Sequence, residues 1–255
     1  MTVELPPISV QLYSLREEAA RDFPSVLRRL GTTGFVGVEL AGLHGLSPTE
    51  FCSIISEADL TVSSGHIGGS PDVMLSSLDD FEAIGCATAV LAYLPPENFA
   101  TLDAVKASAE FINQAHETAK ARNITMGYHN HWWEFETILD GRSAWSHLWD
   151  HLAPGVVAEL DLYWCLVGGG DPKTVIGELG DRLALLHVKD GHANDPKASM
   201  VSVGSGSVAI ADILGAAPTA QWHVVELDRC DTDMATAVDD SYRFLTTSGL
   251  SRGRK

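Results

Sequence analysis

The stretch TLDAVKASAEFINQAHETAKARNITMGYHNH, residues 101–131, joins two different periodicities without a break. In residues 101–123 the apolar side chains recur three or four positions apart, which predicts an amphipathic helix. Residues 124–131 form a short apolar run, which predicts a buried strand. The stretch therefore predicts a helix that leads directly into a strand.

The same alternation extends along the whole chain. Eight short apolar runs are separated by amphipathic segments, at residues 8–13, 37–40, 60–66, 88–94, 124–131, 155–161, 183–190 and 222–228. Pro48 and Pro172 stand at predicted first helical positions, and Gly31 and Gly249 at predicted helix C-termini. Strand then helix, eight times over, predicts an α/β fold of the closed (β/α)8 TIM barrel type.

A doubly wound open sheet is the alternative fold, because alternation alone does not distinguish the two. No G-x-G-x-x-G motif follows the first predicted strand, and this favours the barrel. A chain of 255 residues has the length of one such barrel. We therefore expect a single domain over residues 1–255.

Composition narrows the classes of function. The formal net charge is −17, from 17 Lys plus Arg against 34 Asp plus Glu. Such a surface repels phosphate backbones and anionic lipids, so we expect neither nucleic acid nor membrane as a partner. No apolar run approaches the ~18 residues of a membrane span. The four cysteines have no close spacing, which is typical of reduced intracellular thiols, so we expect a cytoplasmic protein.

Polar residues at the ends of the later strands suggest a metal site, since active sites of these barrels lie where strands end. These residues are Glu134, Asp161, His187 and Glu226. Three carboxylates and one imidazole converging in a partly dry mouth require a compensating cation. The oxygen-rich set suits one divalent ion, with Mn²⁺ preferred and Co²⁺, Mg²⁺ or Zn²⁺ left open. The alternative is four separate polar groups, each held by hydrogen bonds.

Five segments carry a resemblance to a known family: GYHNHWWEFE (127–136), ELDLYW (159–164), LLHVKD (185–190), VGSGSV (203–208) and VVELD (224–228). They resemble the xylose-isomerase-like barrels of the sugar phosphate isomerase/epimerase family, which includes ketose 3-epimerases and inosose dehydratases. The resemblance implies one divalent metal bound by Glu134, Asp161, His187 and Glu226. It also implies that the chain can form a homo-oligomer. It leaves open which sugar is the substrate and whether the substrate carries phosphate.

Further polar and aromatic residues near strand ends are predicted to contact a sugar substrate, with a purely structural role as the alternative for each. They are His66, His131, Trp164, Lys189, Arg229 and Tyr13. Glu39, at the end of the second strand, is expected to anchor a neighbouring backbone group. The stretch GSGS, residues 204–207, predicts a loop turn with Ser207 as a helix N-cap rather than an anion site.

Together these features predict a metal-dependent isomerase or epimerase that acts on a sugar or keto-sugar. It would remove a proton next to the carbonyl to form an enediolate, with Glu134 and Glu226 as the acid/base pair. A keto-sugar or inosose dehydratase or lyase on the same metal site is the alternative. A DNA-repair endonuclease and a barrel that only binds its ligand are less favoured, the former because of the negative charge.

Overall fold

Eight parallel strands close into a barrel in the computed structural model, which describes residues 4–254. The barrel strands are β1 (Ile8–Gln11), β2 (Gly37–Leu40), β3 (Thr61–Ile67), β4 (Thr88–Leu91), β5 (Thr125–His129), β8 (Val157–Asp161), β9 (Leu183–Val188) and β10 (Trp222–Val225). A small hairpin of β6 (Ile138–Leu139) and β7 (Arg142–Ser143) follows β5. The barrel closes because β1 pairs with both β2 and β10.

Each barrel strand overlaps one of the eight apolar runs, so the predicted (β/α)8 barrel is confirmed. The ends of the predicted domain, residues 1–3 and 255, lie outside the described residues. No helix within residues 4–254 combines the length and the apolar character needed to cross a membrane.

Helices connect the strands and cover the outside of the barrel. They are α1 (Arg16–Thr33), α2 (Pro48–Glu57), α3 (Pro71–Ile84), α4 (Leu102–Lys120), α5 (Trp133–Glu136), α6 (Ala144–His151), α7 (Leu162–Val167), α8 (Pro172–Leu179), α9 (Ile210–Gly215) and α10 (Met234–Thr247). Pro48 and Pro172 begin α2 and α8, as predicted. Ser47 and Glu50 form a capping box at the start of α2, which satisfies backbone N–H groups that the helix itself leaves unpaired.

The prediction that Gly31 ends the first helix is wrong. The helix α1 continues to Thr33, and Gly34 ends it with a φ of 111°. A Cβ at Gly31 would lie 2.2 Å from the carbonyl oxygen of Ala58. Gly31 is therefore required where α1 packs closely against the C-terminus of α2, and not for a helix end.

Among residues 4–254, the buried apolar side chains form two clusters. The larger one lies between the strands and the helices, and the smaller one contains Val90, Ala184, Leu185 and Val224. In strands, residues two apart point to the same face, so Leu185 shares a face with His187 and Val224 shares one with Glu226. The barrel interior is therefore apolar towards the N-terminal ends of the strands and polar at their C-terminal ends.

One buried histidine gives the fold a pH dependence. His223 on β10 is 1% exposed, and its Nδ1 lies 2.8 Å from Ser251 Oγ. Burial lowers the pKa of His223 to about 4. The unfolded chain takes up this proton near pH ~6.5, so the stabilisation is complete above that pH and is lost as the pH falls towards about 4.

We expect the free energy of unfolding of the wild type to fall by about 3 kcal/mol more than that of His223→Gln between pH ~6.5 and ~4. Urea unfolding of both proteins across this interval measures the difference, and other titrating groups cancel because the two chains share them. Parallel pH profiles would show that His223 is not held neutral.

Candidate metal centre and active-site pocket

Ionisable side chains crowd the C-terminal ends of the barrel strands. The strand β8 supplies two of them, because Glu159 and Asp161 are two residues apart and share a face. They include Glu39, His66, His129, Glu159, Asp161, His187, Lys189 and Glu226, each with at most 13% of its side chain exposed. So many buried charges are tolerated only where they are paired or bind a cation.

Four of these residues form what we name the outer cluster: His129, Asp161, His187 and Glu226. One candidate ligand atom from each lies within 4.8 Å of the others. The strand register brings them together, since Asp161 on β8 and Val224 on β10 both stand opposite His187 on β9. The structure therefore brings together three of the four predicted metal residues, and His129 is the fourth member of the cluster.

Glu134 occupies a different place. It lies in the short helix α5, where Oε1 accepts a hydrogen bond from the Tyr128 hydroxyl at 2.7 Å and Oε2 accepts one from the His131 N–H at 3.0 Å. Burial raises the pKa of Glu134 to about 8. It is not a member of the outer cluster. Its roles as a metal ligand and as an acid/base group stay predictions.

A second set, which we name the inner cluster, contains His66, His129, Glu159 and His187. It lies deeper because Glu159 precedes Asp161 by two residues along β8. The Oε2 atom of Glu159 is 2.6 Å from His66 Nε2, 3.0 Å from His129 Nδ1 and 3.1 Å from His187 Nε2. Three imidazoles thus converge on one carboxylate oxygen.

Glu39 completes the deep part of the site by binding side chains. Its Oε2 accepts a hydrogen bond from Gln11 Nε2 at 2.8 Å and lies 2.6 Å from His187 Nε2. Its Oε1 accepts one from Ser64 Oγ at 2.6 Å. The expectation that Glu39 anchors a backbone group is therefore wrong, because its carboxylate points towards polar neighbours inside the barrel. Burial, followed by the charge of Glu159, raises the pKa of Glu39.

Lys189 is a fixed cation within the site. Its Nζ lies 2.8 Å from Asp161 Oδ2, 2.6 Å from Glu226 Oε2 and 2.7 Å from Asp228 Oδ2. Burial opposes the charged form, but the three carboxylates outweigh it and raise the pKa of Lys189 well above its usual range. The ammonium group therefore compensates part of the negative charge of the outer cluster.

The histidines differ in charge. Burial lowers the pKa of His129 to about 3, and it also lowers the pKa of His131. For His187, burial acts in the same direction, but the carboxylates of Glu159 and Glu39 outweigh it and raise the pKa. A neutral imidazole such as that of His129 is the form that binds a metal.

Two buried carboxylate oxygens have no hydrogen-bond partner among the described residues: Glu159 Oε1 and Asp161 Oδ2. The ammonium of Lys189 lies 2.8 Å from Asp161 Oδ2, but outside hydrogen-bonding geometry. An unsatisfied buried oxygen is unfavourable by roughly 1–3 kcal/mol or more. Unsatisfied oxygens beside neutral imidazole nitrogens are donors that fit a divalent cation.

A pocket of about 460 Å³ opens beside these clusters. Its lining includes Tyr13, His66, Tyr93, His129, His131, Glu226 and Asp228. The Tyr93 ring is 49% exposed, and it meets the His131 ring edge-to-face with the centroids 5.3 Å apart. The pocket thus combines aromatic surfaces with polar atoms, as sites for small polar molecules do.

The predicted substrate residues divide into two groups. Tyr13, His66 and His131 line the pocket. Trp164 is only 2% exposed, and Lys189 is fully buried. Arg229 donates to the Pro196 carbonyl oxygen at 2.6 Å and lines a different pocket of about 430 Å³. The substrate contacts predicted for all six residues stay predictions.

The glycine-rich loop already binds a carboxylate of this chain. Asp190 Oδ2 accepts hydrogen bonds from the N–H groups of Gly204 and Gly206 at 2.9 and 3.0 Å, and Oδ1 accepts from Val208 at 3.1 Å. The N-cap of α9 is Ala209, and Ser207 Oγ instead donates to the Gly191 carbonyl oxygen. The prediction of Ser207 as N-cap is therefore wrong, although the stretch is a loop as expected.

The sequence analysis missed Glu159, His129 as a cluster member, and Tyr93. The alternation of strand side chains was the available signal for Glu159, because it stands two residues before Asp161. The same rule places His129 on the face of His131. Tyr93 lies beyond the end of β4 and has no such signal.

Known proteins share the fold of this chain. No protein-family model and no curated protein sequence matches it. A sugar phosphate isomerase/epimerase from Parabacteroides distasonis is 23% identical with a TM-score of 0.82, over 99% of this chain and 98% of that one. A probable 3-DHS dehydratase from Bacillus anthracis is 13% identical with a TM-score of 0.73, over 94% and 98%. A D-allulose 3-epimerase from Methylomonas sp. is 13% identical with a TM-score of 0.70, over 96% and 98%.

These structural neighbours are of the predicted kind, xylose-isomerase-like TIM barrels that include ketose 3-epimerases and a dehydratase. Because the identities are 23% or lower, the likeness establishes the fold of the chain and nothing more.

Replacing Lys189 by Met keeps most of its volume but removes the charge. We expect the free energy of unfolding to fall by about 3–5 kcal/mol, because buried carboxylates lose their partner. Urea unfolding in the presence of a chelator measures the change. Lys173→Met is the matched control, since its ammonium pairs with Asp212 at 2.6 Å with 46% of the lysine side chain exposed. There we expect a much smaller loss, because solvent screens an exposed ion pair, and equal losses in the two variants would contradict this account.

Proposed function

We propose that the protein is a divalent-metal-dependent isomerase or epimerase of a sugar or keto-sugar. The observation that supports this most directly is the outer cluster, in which Asp161, His187 and Glu226 meet beside a polar and aromatic pocket. The structural neighbours agree with this class of reaction. A dehydratase or lyase using the same site is the alternative, and one neighbour has such a name.

Asp161, His187 and Glu226 would hold the metal, with His129 as the fourth ligand and Glu134 as the alternative fourth ligand. Two carboxylates and two imidazoles suit a divalent ion such as Mn²⁺, and we retain Mn²⁺ as the proposed ion. When bound, the cation would supply Lewis-acid polarisation of a carbonyl group and so acidify the neighbouring C–H bond.

Glu226 would take up the proton. It is 4% exposed and lines the pocket, so a bound molecule can reach its carboxylate. Burial opposes ionisation, but the charges of Lys189 and His187 outweigh it and lower the pKa of Glu226 well below its usual range. Glu226 is therefore ionised and can act as a base towards a sufficiently acidified C–H group.

A second group must return the proton. Glu134 is the predicted partner, and burial raises its pKa to about 8, which keeps it protonated at neutral pH. Both of its oxygens are hydrogen-bonded, so it must release Tyr128 or the His131 N–H to act on a substrate in the pocket. Return of the proton to the opposite face gives epimerisation, return to the adjacent carbon gives isomerisation, and loss of a hydroxyl at the β-carbon gives dehydration.

The pocket favours an uncharged sugar. Carboxylates of Glu226 and Asp228 line it, and the N–H groups of the glycine-rich loop already bind Asp190. Aromatic rings such as that of Tyr93 can pack on the C–H face of a sugar while their hydroxyl groups bind its oxygens. With a net charge of −17, the chain is a poor partner for DNA.

Exchange of solvent deuterium into a panel of free and phosphorylated keto-sugars tests this function. In the presence of Mn²⁺ we expect label at a carbon next to the carbonyl, and loss of labelling with EDTA or in Glu226→Gln, by at least about 10²-fold because the base is removed. Glu57→Gln is the matched control, since its carboxylate is on the surface with 58% exposure. Labelling that survives both EDTA and Glu226→Gln would refute the mechanism.

The fourth ligand can be identified by calorimetric titration with Mn²⁺. We expect His129→Gln to weaken binding by at least about tenfold, because loss even of a group supporting a ligand weakens metal binding by 10–100-fold. Glu134→Gln should bind Mn²⁺ as the wild type does. The reverse result would assign the fourth position to Glu134.

A further inference from the structure

The two clusters share His129 and His187 but use opposite ring nitrogens of each. Nδ1 of His187 lies 2.8 Å from Glu226 Oε2, while its Nε2 lies 3.1 Å from Glu159 Oε2. Nε2 of His129 lies 3.8 Å from Asp161 Oδ2, while its Nδ1 lies 3.0 Å from Glu159 Oε2. Each shared imidazole therefore presents one nitrogen to the outer cluster and the other to the inner cluster.

A neutral imidazole has one lone pair and one N–H group. If His187 gives its Nδ1 lone pair to a cation in the outer cluster, its Nε2 carries the proton and donates it to Glu39 or Glu159. If it gives its Nε2 lone pair to a cation in the inner cluster, Nδ1–H donates to Glu226. In either state a carboxylate supports the ligating histidine from behind, as metal-bound histidines require.

The inner cluster differs from the outer one in its chemistry. It offers three imidazole nitrogens and one carboxylate, whereas the outer cluster offers two of each. A four-ligand set rich in nitrogen suits tetrahedral Zn²⁺, with Zn–N bonds of ~2.0–2.1 Å. His66 and His129 both line the pocket, so a cation can reach the inner cluster from solvent. Glu159, fully buried, has an Oε1 atom without a hydrogen-bond partner in the described part of the chain.

We propose that His66, His129, Glu159 and His187 form a second cation site, selective for Zn²⁺, which is occupied in alternation with the outer site. The alternation follows because either cation fixes the tautomers of His129 and His187 and so removes two nitrogen ligands from the other position. Zn²⁺ in the inner site would therefore exclude Mn²⁺ from the outer site. By excluding Mn²⁺, Zn²⁺ would also stop the reaction, and this consequence rests on the proposed function. The binding of Zn²⁺ to the inner site does not rest on it.

Cobalt reports the coordination directly, because four-coordinate Co²⁺ absorbs visible light far more strongly than six-coordinate Co²⁺. Chelator-treated full-length protein is titrated with CoCl₂ and then with ZnCl₂, and the absorption band and the number of bound ions are measured. We expect one ion per chain, an intense visible band, and loss of that band as Zn²⁺ replaces Co²⁺.

Variants separate the two sites. We expect His66→Asn and Glu159→Gln to lose the intense band and to bind Zn²⁺ at least about tenfold more weakly. The Mn²⁺ affinity should fall in Glu159→Gln, because Glu159 supports His129 and His187 in the outer site, but it should stay at the wild-type value in His66→Asn. Asp161→Asn should show the opposite pattern to His66→Asn: it should keep the band and the Zn²⁺ affinity but bind Mn²⁺ more weakly. His223→Gln is the control, because this buried histidine contacts Ser251 outside both clusters. Circular dichroism confirms that each variant is folded. Of the two inner-cluster variants, His66→Asn and Glu159→Gln, either one suffices to test the loss of Zn²⁺ binding if the other does not fold.

Retention of the band and of Zn²⁺ affinity in the folded inner variants would overturn the second site. Simultaneous binding of Zn²⁺ and Mn²⁺ in the wild type would overturn the alternation. If instead the inner-site signals behave as expected but no keto-sugar exchanges deuterium, the proposed function fails and the second site stands.

Discussion

The need to neutralise buried carboxylates determines the arrangement of the barrel mouth. Glu39, Glu159 and Asp161 have no exposed surface and Glu226 only 4%, and an isolated buried carboxylate is strongly unfavourable. The protein meets this with one permanent cation, Lys189, and with histidines whose charge depends on their neighbours. The outer carboxylates face the lysine and the inner carboxylates face the imidazoles. The site is therefore two charge-balanced layers that share His129 and His187.

The sequence carried the information for the fold and for part of this site. The apolar runs locate all eight barrel strands, because a strand buried on both faces must be apolar along its length. Asp161, His187 and Glu226 were found because they end strands, and the barrel places strand ends around one mouth. Their convergence depends on strand order and register, which the repeated pattern already implies.

The remaining features depend on geometry that no local pattern contains. Glu134 lies in a short helix beyond β5, so strand alternation does not determine where its carboxylate points. Glu159 is hidden inside an apolar run, where a strand-end criterion ignores it. Asp190 binds the loop at residues 204–208 across a separation of 14 to 18 residues, and only the folded chain shows that the loop's N–H groups are occupied.

The segment from His187 to Asp190 joins these features in four consecutive residues. His187 and Lys189 point into the barrel. His187 belongs to both clusters, and Lys189 supplies the positive charge that compensates the outer carboxylates. Val188 alternates with them and packs in the larger apolar cluster, while Asp190 holds the glycine-rich loop through its backbone N–H groups. Because strand alternation fixes their opposite directions, a shift of β9 by one residue would disrupt the metal ligands, the charge balance and the loop together. The register of β9 therefore couples the stability of the barrel to the integrity of its site.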